Sequence, residues 1–373
     1  MLVNPTEPSL THPSLTVIVP TRNRAENLDG ALSALIAQQP FSDYEVIPVD
    51  NGSSDGTWEC LERFASRDPR IRPVHEPRPG ISFARNAGIE SARAPLVAFT
   101  DDDVRVGPAW VETVVNAFAQ YTNADAIGGK VLPEWPVAPP AWLDRSAWGP
   151  LALVDYGDAA FRVDSGRPLC LIGANVAMRR SAFAEVGLFS PDYPRGQDQE
   201  WLERLYLAGG HGMYVPALSI ASPVDVNRMT RRYHRRWHFG RGRFLARMRL
   251  AQLEATRVGR PFDVPGHVWR TALTESLLSV SAALRGLDAR AFTHECAAWC
   301  RVGFIRERIE SLARAALQSV RVALFGDQTA AERRSTARSV LPGTLAASRA
   351  ILRTVSVSVR SRVASRNAST RAK

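Results

Sequence analysis

The sequence predicts an α/β fold in which a mostly parallel sheet is flanked by helices and is followed by a mainly helical C-terminal region. Three observations carry this prediction. Short β-branched runs alternate with helical stretches between residues 15 and 131, the rhythm of a parallel sheet covered on both faces. The apolar run 96–99 leads through Thr100 into three consecutive aspartates. Beyond residue 250 the strand signals largely vanish and helical patterns remain.

The predicted elements follow one another in βα order. Strands are expected over 15–20, 44–50, 71–74, 95–100 and 126–131. Helices are expected over 26–38, 56–67, 82–93 and 108–120, and later over 268–285, 290–315 and 330–353. The segment 132–150 interrupts the rhythm with five prolines and three tryptophans, which indicates an irregular loop. Residues 355–359 alternate like a strand, so the end of the chain stays open between helix and strand.

Length and composition indicate a globular protein with more than one region. The chain has 373 residues and 45% hydrophobic content. We expect a flexible tail over 1–14, a main α/β domain over 15–250 and a helical, basic region over 251–373. The tail lacks the features of a signal peptide, no apolar run is long enough to span a membrane, and the four cysteines lack zinc or redox spacing. A cytoplasmic location is therefore expected.

The net charge of +10 is concentrated in two segments. Residues 227–250 carry nine arginines and no acid, and residues 331–373 carry ten basic residues and one acid, so the rest of the chain is at −8. Such segments attract nucleic acid, anionic lipid or phosphorylated substrates. We expect no nucleic-acid partner, because the chain has no recognisable binding module and its body is acidic.

Arginines alternate with aromatic residues over 228–243. This mixture predicts either a solvated basic helix or docking against anionic lipid or a polyprenyl-diphosphate acceptor. Together with the basic C-terminal tail, it predicts a peripheral protein on the anionic inner face of the plasma membrane.

Asp101, Asp102 and Asp103 follow an apolar strand directly. Ligands of α/β proteins gather at the carboxyl ends of strands, and adjacent carboxylates repel unless a cation joins them. Oxygen-only ligands suit Mg²⁺ or Mn²⁺. The alternative is an acidic surface turn or a helix N-cap. Because side chains alternate along a strand, Asp101 and Asp103 rank slightly above Asp102 as metal ligands.

Four motifs follow one another in order along the chain. They are Val17-Ile18-Val19-Pro20-Thr21-Arg22-Asn23-Arg24, Val49-Asp50-Asn51-Gly52-Ser53, Ala84-Arg85-Asn86-Ala87-Gly88-Ile89 after Gly80, and Phe99 to Asp103. In this order they resemble family 2 glycosyltransferases of the GT-A fold, over about residues 15–250. The resemblance implies a metal-dependent inverting enzyme that moves a sugar from a nucleotide-sugar donor to a hydroxyl of a glycan or lipid-linked acceptor, for cell-surface or extracellular polysaccharide synthesis.

The resemblance implies a donor pocket at the ends of the first strands. Its expected residues there are Thr21, Arg22, Asn23, Asp50 and Asn51. The amide of Asn51 both donates and accepts, so it can pair with the imide edge of uracil or thymine. An Asx-type turn is the alternative reading of Asn51, and a loop or helix cap that of the first three residues.

The third and fourth motifs complete the implied donor site. Arg85 and Asn86 face the nucleotide or brace the metal-binding loop. Asp101 and Asp102 contact the nucleotide-sugar, and Asp101 and Asp103 hold Mg²⁺ or Mn²⁺, which neutralises the diphosphate as its bond to the sugar breaks.

A further acidic site is predicted on a helix that follows Gly196. Asp198 shares the spacing of its apolar face, whereas Glu200 lies opposite Arg204 as a solvated i,i+4 pair. An N-cap role is the alternative for Asp198. Relatives usually carry Glu-Asp here; because Gln197 replaces the glutamate, the resemblance leaves Asp198 as the general base.

The acceptor side is expected in two segments. Gly173, Ala174 and Asn175 resemble the acceptor loop that precedes this helix, although a plain tight turn fits equally. Trp135 and Trp142 form either a structural lid or a sugar-binding wall. The alternative to an enzyme is a non-catalytic scaffold of the same fold that holds membranes or assembly partners through its arginines.

Overall fold

The computed structural model describes residues 13–255 and 259–325. Eight strands form one sheet in the order β3-β2-β1-β4-β7-β5-β8-β6. They are β1 (Leu15–Thr21), β2 (Tyr44–Asp50), β3 (Val74–His75), β4 (Leu96–Phe99), β5 (Ala126–Glu134), β6 (Phe161–Val163), β7 (Val176–Arg179) and β8 (Gly212–Pro223). Four of the seven neighbouring pairs are parallel, and β7 joins the two parallel parts by running antiparallel to both β4 and β5. The predicted mostly parallel α/β sheet is confirmed.

Helices cover both faces of this sheet. They are α1 (Leu28–Ile36), α2 (Thr57–Arg67), α3 (Ile81–Ser91), α4 (Trp110–Gln120), α5 (Arg180–Val186) and α6 (Gln197–Leu207). In β1, Val17 and Val19 belong to one apolar layer and Ile18 to the other. A strand buried on both sides has no polar face, so its sequence reads as one continuous apolar run.

Four further helices follow the sheet. They are α7 (Arg231–Met248), α8 (Ala251–Glu254), α9 (Gly266–Leu284) and α10 (Asp288–Phe325). Two of the predicted C-terminal helices are thus present, and the predicted stretches 330–353 and 355–359 lie outside the described residues. The chain divides into one compact unit up to Ile309 and a second from Glu310 onward. No helix of the described residues is both long and apolar enough to cross a membrane.

Helix α7 packs closely on the first part of α10. A Cβ at Gly242 would overlap the carbonyl oxygen of Cys300, and one at Gly303 would overlap that of Phe239. The glycines therefore let the two backbones touch. Ion pairs flank this crossing. Arg235 bonds to Glu295, while Arg243 and Arg247 both bond to Glu307, which is almost wholly buried.

These contacts correct the prediction for the arginine-rich segment. Its helix is neither simply solvated nor simply a lipid-docking surface, because several of its arginines neutralise acids of α10. The acidic partners lie about sixty residues further along the chain, and no local pattern reveals them.

Candidate active site

The carboxyl ends of β1, β2 and β4 open into a cleft of about 420 Å³. Parallel strands end at the same edge of a sheet, so the loops that follow them meet there. The cleft brings together seven of the predicted residues: Thr21, Arg22, Asn51, Asp101, Asp102, Asp103 and Ala174. Asn23 is exposed beside it, where its side chain and backbone join the ends of β1 and β2 through Ser53 and Ser54.

The three aspartates face two arginines. Oδ1 of Asp101 lies 3.8 Å from Nη2 of Arg85, and Arg24 lies 3.5 Å from Asp102 and 3.7 Å from Asp103. Asp101 lines the cleft, and 40% of its side chain is exposed there. Desolvation raises the pKa of Asp101 to about 6, and the positive charge of Arg85 opposes this rise. Burial also raises the pKa of Asp102, and Arg24 opposes it.

The carboxylate oxygens of the three aspartates suit a hard divalent cation that also binds the phosphates of a ligand. Within 13–255 and 259–325, no three acidic, histidine or cysteine side chains form a preassembled metal site. Mg²⁺ needs no such cage, because it keeps several waters and takes one or two carboxylates together with substrate phosphates. Asp101 and Asp103 can supply those carboxylates, since both are partly open to the cleft.

Asp50 and Asn51 hold the loop that forms one wall of the cleft. Asp50 is buried, accepts a hydrogen bond from the N–H of Ser53 and lies 3.0 Å from Nδ1 of His75. The amide of Asn51 donates to the carbonyls of Glu76 and Arg78 and accepts from the N–H of Gly80. Both of its N–H donors are thus used within the loop. This contradicts the prediction that Asn51 pairs with a base edge, and Asp50 lies behind the cleft.

Arg85 and Asn86 also lie behind the cleft rather than in it. Arg85 is 3% exposed, its guanidinium lies over the rings of Phe99 and Phe189, and its Nε and Nη1 have no hydrogen-bond partner. A Cβ at Gly173 would overlap this guanidinium, so the glycine lies directly against it. Asn86 exchanges two hydrogen bonds with the backbone of Phe189. Of the two predicted roles, contact with the nucleotide and bracing of the metal-binding loop, this arrangement favours bracing for both residues.

Asp198 lies in the first turn of α6, after Gly196, which begins the helix with a φ of +74°. Its Oδ2 accepts a hydrogen bond of 2.9 Å from the N–H of Gly173, and its Oδ1 accepts one from the N–H of Gln199. The N-cap is Gly196, so Asp198 is not the cap. Its charge also contributes to the raised pKa of Asp101. The two predicted acidic sites are therefore neighbours, with Gly173 between them.

Glu200 differs from its prediction as a solvated residue. It is 8% exposed and forms a two-point ion pair with Arg204. Arg204 also donates to the carbonyls of Val186 and Leu188. The pair therefore ties α6 to the segment after α5, and Glu200 is a structural residue.

Asp198 lines a second cavity, of about 590 Å³, which shares Ala152 with the cleft. Its walls carry Trp148, Trp237 and Tyr156, and its polar side chains include His238 and Arg241. Burial lowers the pKa of His238 to about 4, so this imidazole is neutral at pH 7. Indole rings beside hydrogen-bonding groups are suited to sugar rings, whose faces are apolar and whose edges are polar.

The tryptophans of this cavity are not the predicted ones. Trp142 packs edge-on against His234 and Phe292, and Trp135 packs against the core. Neither is among the residues that line the two cavities. Asn175 is fully buried and bonds to the Trp110 indole, so it is a core brace and not an acceptor contact. The i,i+4 spacing of Trp237 and Arg241 was the available signal that they line this cavity together.

Residues 16–187 match the family described as Glycosyl transferase family 2. This part of the chain belongs to glycosyl transferase family 2. The family region contains the whole of the three-aspartate motif and the loops around it. It ends before α6, so the roles of Asp198 and of the arginines of α7 depend on their geometry.

Curated relatives match parts of the chain. Glycosyltransferase AglE of Haloferax volcanii is 30% identical over 211 residues, which cover 53% of this chain and 63% of that protein. Validoxylamine A glucosyltransferase of Streptomyces hygroscopicus subsp. jinggangensis is 38% identical over 120 residues, which cover 31% of this chain and 28% of that protein. The chain thus spans less than two thirds of the length of either relative.

A solved structure shows the same fold over most of the chain. Mannosyltransferase PcManGT from Pyrobaculum calidifontis, in complex with GDP-Man and Mn²⁺, superimposes with a TM-score of 0.52 at 20% identity. The match covers 79% of this chain and 89% of that chain. The GT-A fold expected of a family 2 glycosyltransferase is therefore confirmed.

Proposed function

We propose that the chain is an inverting glycosyltransferase that moves a sugar from a nucleotide-sugar donor to a hydroxyl of a glycan or lipid-linked acceptor, for cell-surface or extracellular polysaccharide synthesis. The observation that carries the proposal is the junction of the two cavities. One contains three aspartates at the ends of parallel strands, and the other contains Asp198 beside aromatic walls, its second carboxylate, Asp155, being ion-paired with Lys130 and Arg145. The membership of residues 16–187 in glycosyl transferase family 2 supports it.

The donor binds in the cleft of the three aspartates. Asp101 and Asp103 hold Mg²⁺ or Mn²⁺ together with the diphosphate, and Arg85 keeps Asp101 ionised from below. The cation supplies Lewis-acid stabilisation of the charge that develops on the leaving diphosphate. Arg22 and Arg228 line the same cleft and add positive charge at its walls.

Asp198 acts as the general base in the acceptor cavity. Hydrogen bonds from the N–H groups of Gly173 and Gln199 hold its carboxylate in place. The carboxylate takes the proton of the acceptor hydroxyl as that oxygen attacks the anomeric carbon from the side opposite the diphosphate. A single displacement of this kind inverts the configuration.

Nucleotide binding in the presence of Mn²⁺ tests the donor site. We expect a nucleoside diphosphate at 100 times its dissociation constant to stabilise the full chain by about 2.7 kcal/mol. Replacing Asp101 and Asp103 together by Asn should abolish the Mn²⁺-dependent part of the rise in Tm. The fold should survive, because both side chains are more than a third exposed and surface ion pairs contribute little.

A Glu59→Gln, Glu62→Gln variant is the matched control. It removes two exposed carboxylates from α2 and should leave the Mn²⁺-dependent stabilisation intact. Unchanged stabilisation in the double aspartate variant would refute the metal site. A non-catalytic scaffold is the alternative function, and it would give neither hydrolysis nor transfer of any nucleotide-sugar.

We further propose that the chain is cytoplasmic and binds an anionic membrane surface peripherally. On α9, Leu273, Leu277, Val280 and Leu284 form an outward stripe at spacings of four, three and four, and each is more than half exposed. Arg270 and Arg285, both exposed, lie at its two ends. An apolar stripe with basic ends is suited to an interface of acyl chains and anionic headgroups.

Flotation with liposomes tests this membrane proposal. Anionic liposomes should recover the chain at low salt and release most of it at high salt, because each basic residue contributes only about 1 kcal/mol near a charged surface. Neutral liposomes should recover little. A Leu277→Gln, Leu284→Gln variant should float less than the wild type at equal salt. Equal recovery on both lipid types, or by both proteins, would contradict the proposal.

A further inference from the structure

A third cavity adjoins the acceptor cavity on the side of α7. It has a volume of about 340 Å³ and shares Gly196, Gln199, Trp237 and Arg241 with the cavity that contains Asp198. Twelve residues line it: five are arginines, three are aromatic and none is acidic. The two cavities therefore form one continuous groove, with Asp198 in one half and a concentration of positive charge in the other.

The five arginines divide into two groups. Arg243 and Arg247 are fixed by Glu307, which neutralises part of their charge. Arg195, Arg236 and Arg241 form no ion pair with any carboxylate among residues 13–255 and 259–325. Arg241 instead donates to the side-chain oxygen of Gln199 and lies over the ring of Trp237. Three guanidinium groups are thus available to an anionic ligand.

The aromatic residues give the same cavity an apolar wall. Tyr193 packs edge-on against Phe244 at 5.5 Å between ring centroids, and Trp237 completes this wall. The passage to Asp198 runs past Gly196. A Cβ there would lie 3.1 Å from the ring of Phe244, so a side chain at this position would narrow the passage. The cavity accordingly accepts a ligand that joins an anionic group to carbon-rich surface.

We propose that this cavity binds the phosphoryl group of the acceptor, so that the acceptor is a phosphate-bearing molecule whose hydroxyl reaches Asp198. Guanidinium groups bind phosphate oxygens with paired hydrogen bonds, and several of them around one cavity select phosphate over a neutral sugar. The inference rests on the proposed glycosyl transfer and specifies its acceptor. A soluble sugar phosphate and a prenyl phosphate share this chemistry.

Calorimetric titration of the full chain tests the inference. The donor site is first saturated with nucleoside diphosphate and Mn²⁺, so that the added phosphates do not bind there. Three probes are compared: methyl glucoside, glucose 1-phosphate and geranyl phosphate. We expect at least one phosphorylated probe to bind at least tenfold more tightly than methyl glucoside. Tighter binding of geranyl phosphate indicates a lipid-linked acceptor, and tighter binding of glucose 1-phosphate a soluble one.

An Arg195→Gln, Arg236→Gln variant should bind the tighter of the two phosphorylated probes at least tenfold more weakly than the wild type. It should keep its Mn²⁺-dependent stabilisation by nucleoside diphosphate. An Arg63→Gln, Arg67→Gln variant on α2 makes the same charge change at exposed positions and should bind like the wild type.

Two outcomes overturn the inference: phosphorylated probes that bind no more tightly than methyl glucoside, or equal affinity in the Arg195, Arg236 variant and the wild type. If nucleoside diphosphate and Mn²⁺ did not stabilise the wild type, that result would instead refute the donor site. In that case, the same titration without nucleotide would still compare phosphate binding by the Arg195, Arg236 variant with that by the Arg63, Arg67 variant, and so would test the cavity.

Discussion

Asp198→Asn should lower turnover by about 10²- to 10⁴-fold, the usual contribution of a positioned general base. Asparagine keeps the shape of the side chain and an oxygen that can accept the hydrogen bond from the N–H of Gly173. It cannot take a proton from an acceptor hydroxyl. Donor affinity, measured as stabilisation by nucleoside diphosphate and Mn²⁺, should therefore stay within a few-fold of the wild type.

The control for this variant lies on the same helix. Glu203→Gln removes a carboxylate from α6 that is absent from the lining of the acceptor cavity, so its turnover should remain near that of the wild type. Glu200→Gln is unsuitable, because Glu200 is buried and holds Arg204. Equal loss of activity in Asp198→Asn and Glu203→Gln would contradict the base assignment. Unfolding of Asp198→Asn would instead identify a structural role for its bond to Gly173.

The central strands could be predicted because burial on both faces leaves a strong local signal. β1, β2 and β4 are apolar along nearly their whole length, and the polar residues that follow them mark the edge where ligands bind. The position of the three aspartates at the cleft follows from this topology alone. Asp198 was proposed for a related reason, since the apolar spacing after it indicates its place on the helix.

The strands β6, β7 and β8 were not predicted. β6 has three residues and β7 four, and they follow one another without a helix between them, outside the βα rhythm of the first strands. β8 contains Pro216, which argues against a strand in the interior of a sheet. The register between β5 and β8 shifts after Gly128, and this irregularity leaves room for the proline. The extra residues of this irregularity, 215–218, lie in β8 itself, and they are recognised only from its pairing with β5.

The roles of the polar residues were the least predictable. Three asparagines lie beside the predicted binding motifs, namely Asn51, Asn86 and Asn175. The side-chain amide of each forms hydrogen bonds to backbone or core groups that are distant in sequence. An amide suited to a base edge is equally suited to a carbonyl and an N–H in a loop. Only the three-dimensional arrangement decides between these uses, as it does for the arginines of α7.

Arg85→Met should weaken Mn²⁺-dependent nucleotide binding without destabilising the fold. Methionine can fill the space between Phe99 and Phe189, and the substitution removes a buried charge whose Nε and Nη1 lack partners. We therefore expect a Tm equal to or above that of the wild type. The functional loss comes through Asp101, whose pKa is already about 6 with Arg85 opposing the effect of burial.

Removal of an arginine beside an aspartate raises the carboxyl pKa by about 1–3 units. Because 40% of the Asp101 side chain is exposed, water screens the pair and the smaller shift is expected. A protonated Asp101 cannot bind the cation, so a rise of about one unit in its pKa should lower binding at pH 6 about fivefold, because the ionised fraction falls from about one half to about one tenth. Binding should recover toward the wild-type value at pH 8.5, where the carboxyl ionises again. A loss of equal size at both pH values would show that Arg85 contacts the nucleotide directly, and a lowered Tm would show that its charge stabilises the fold.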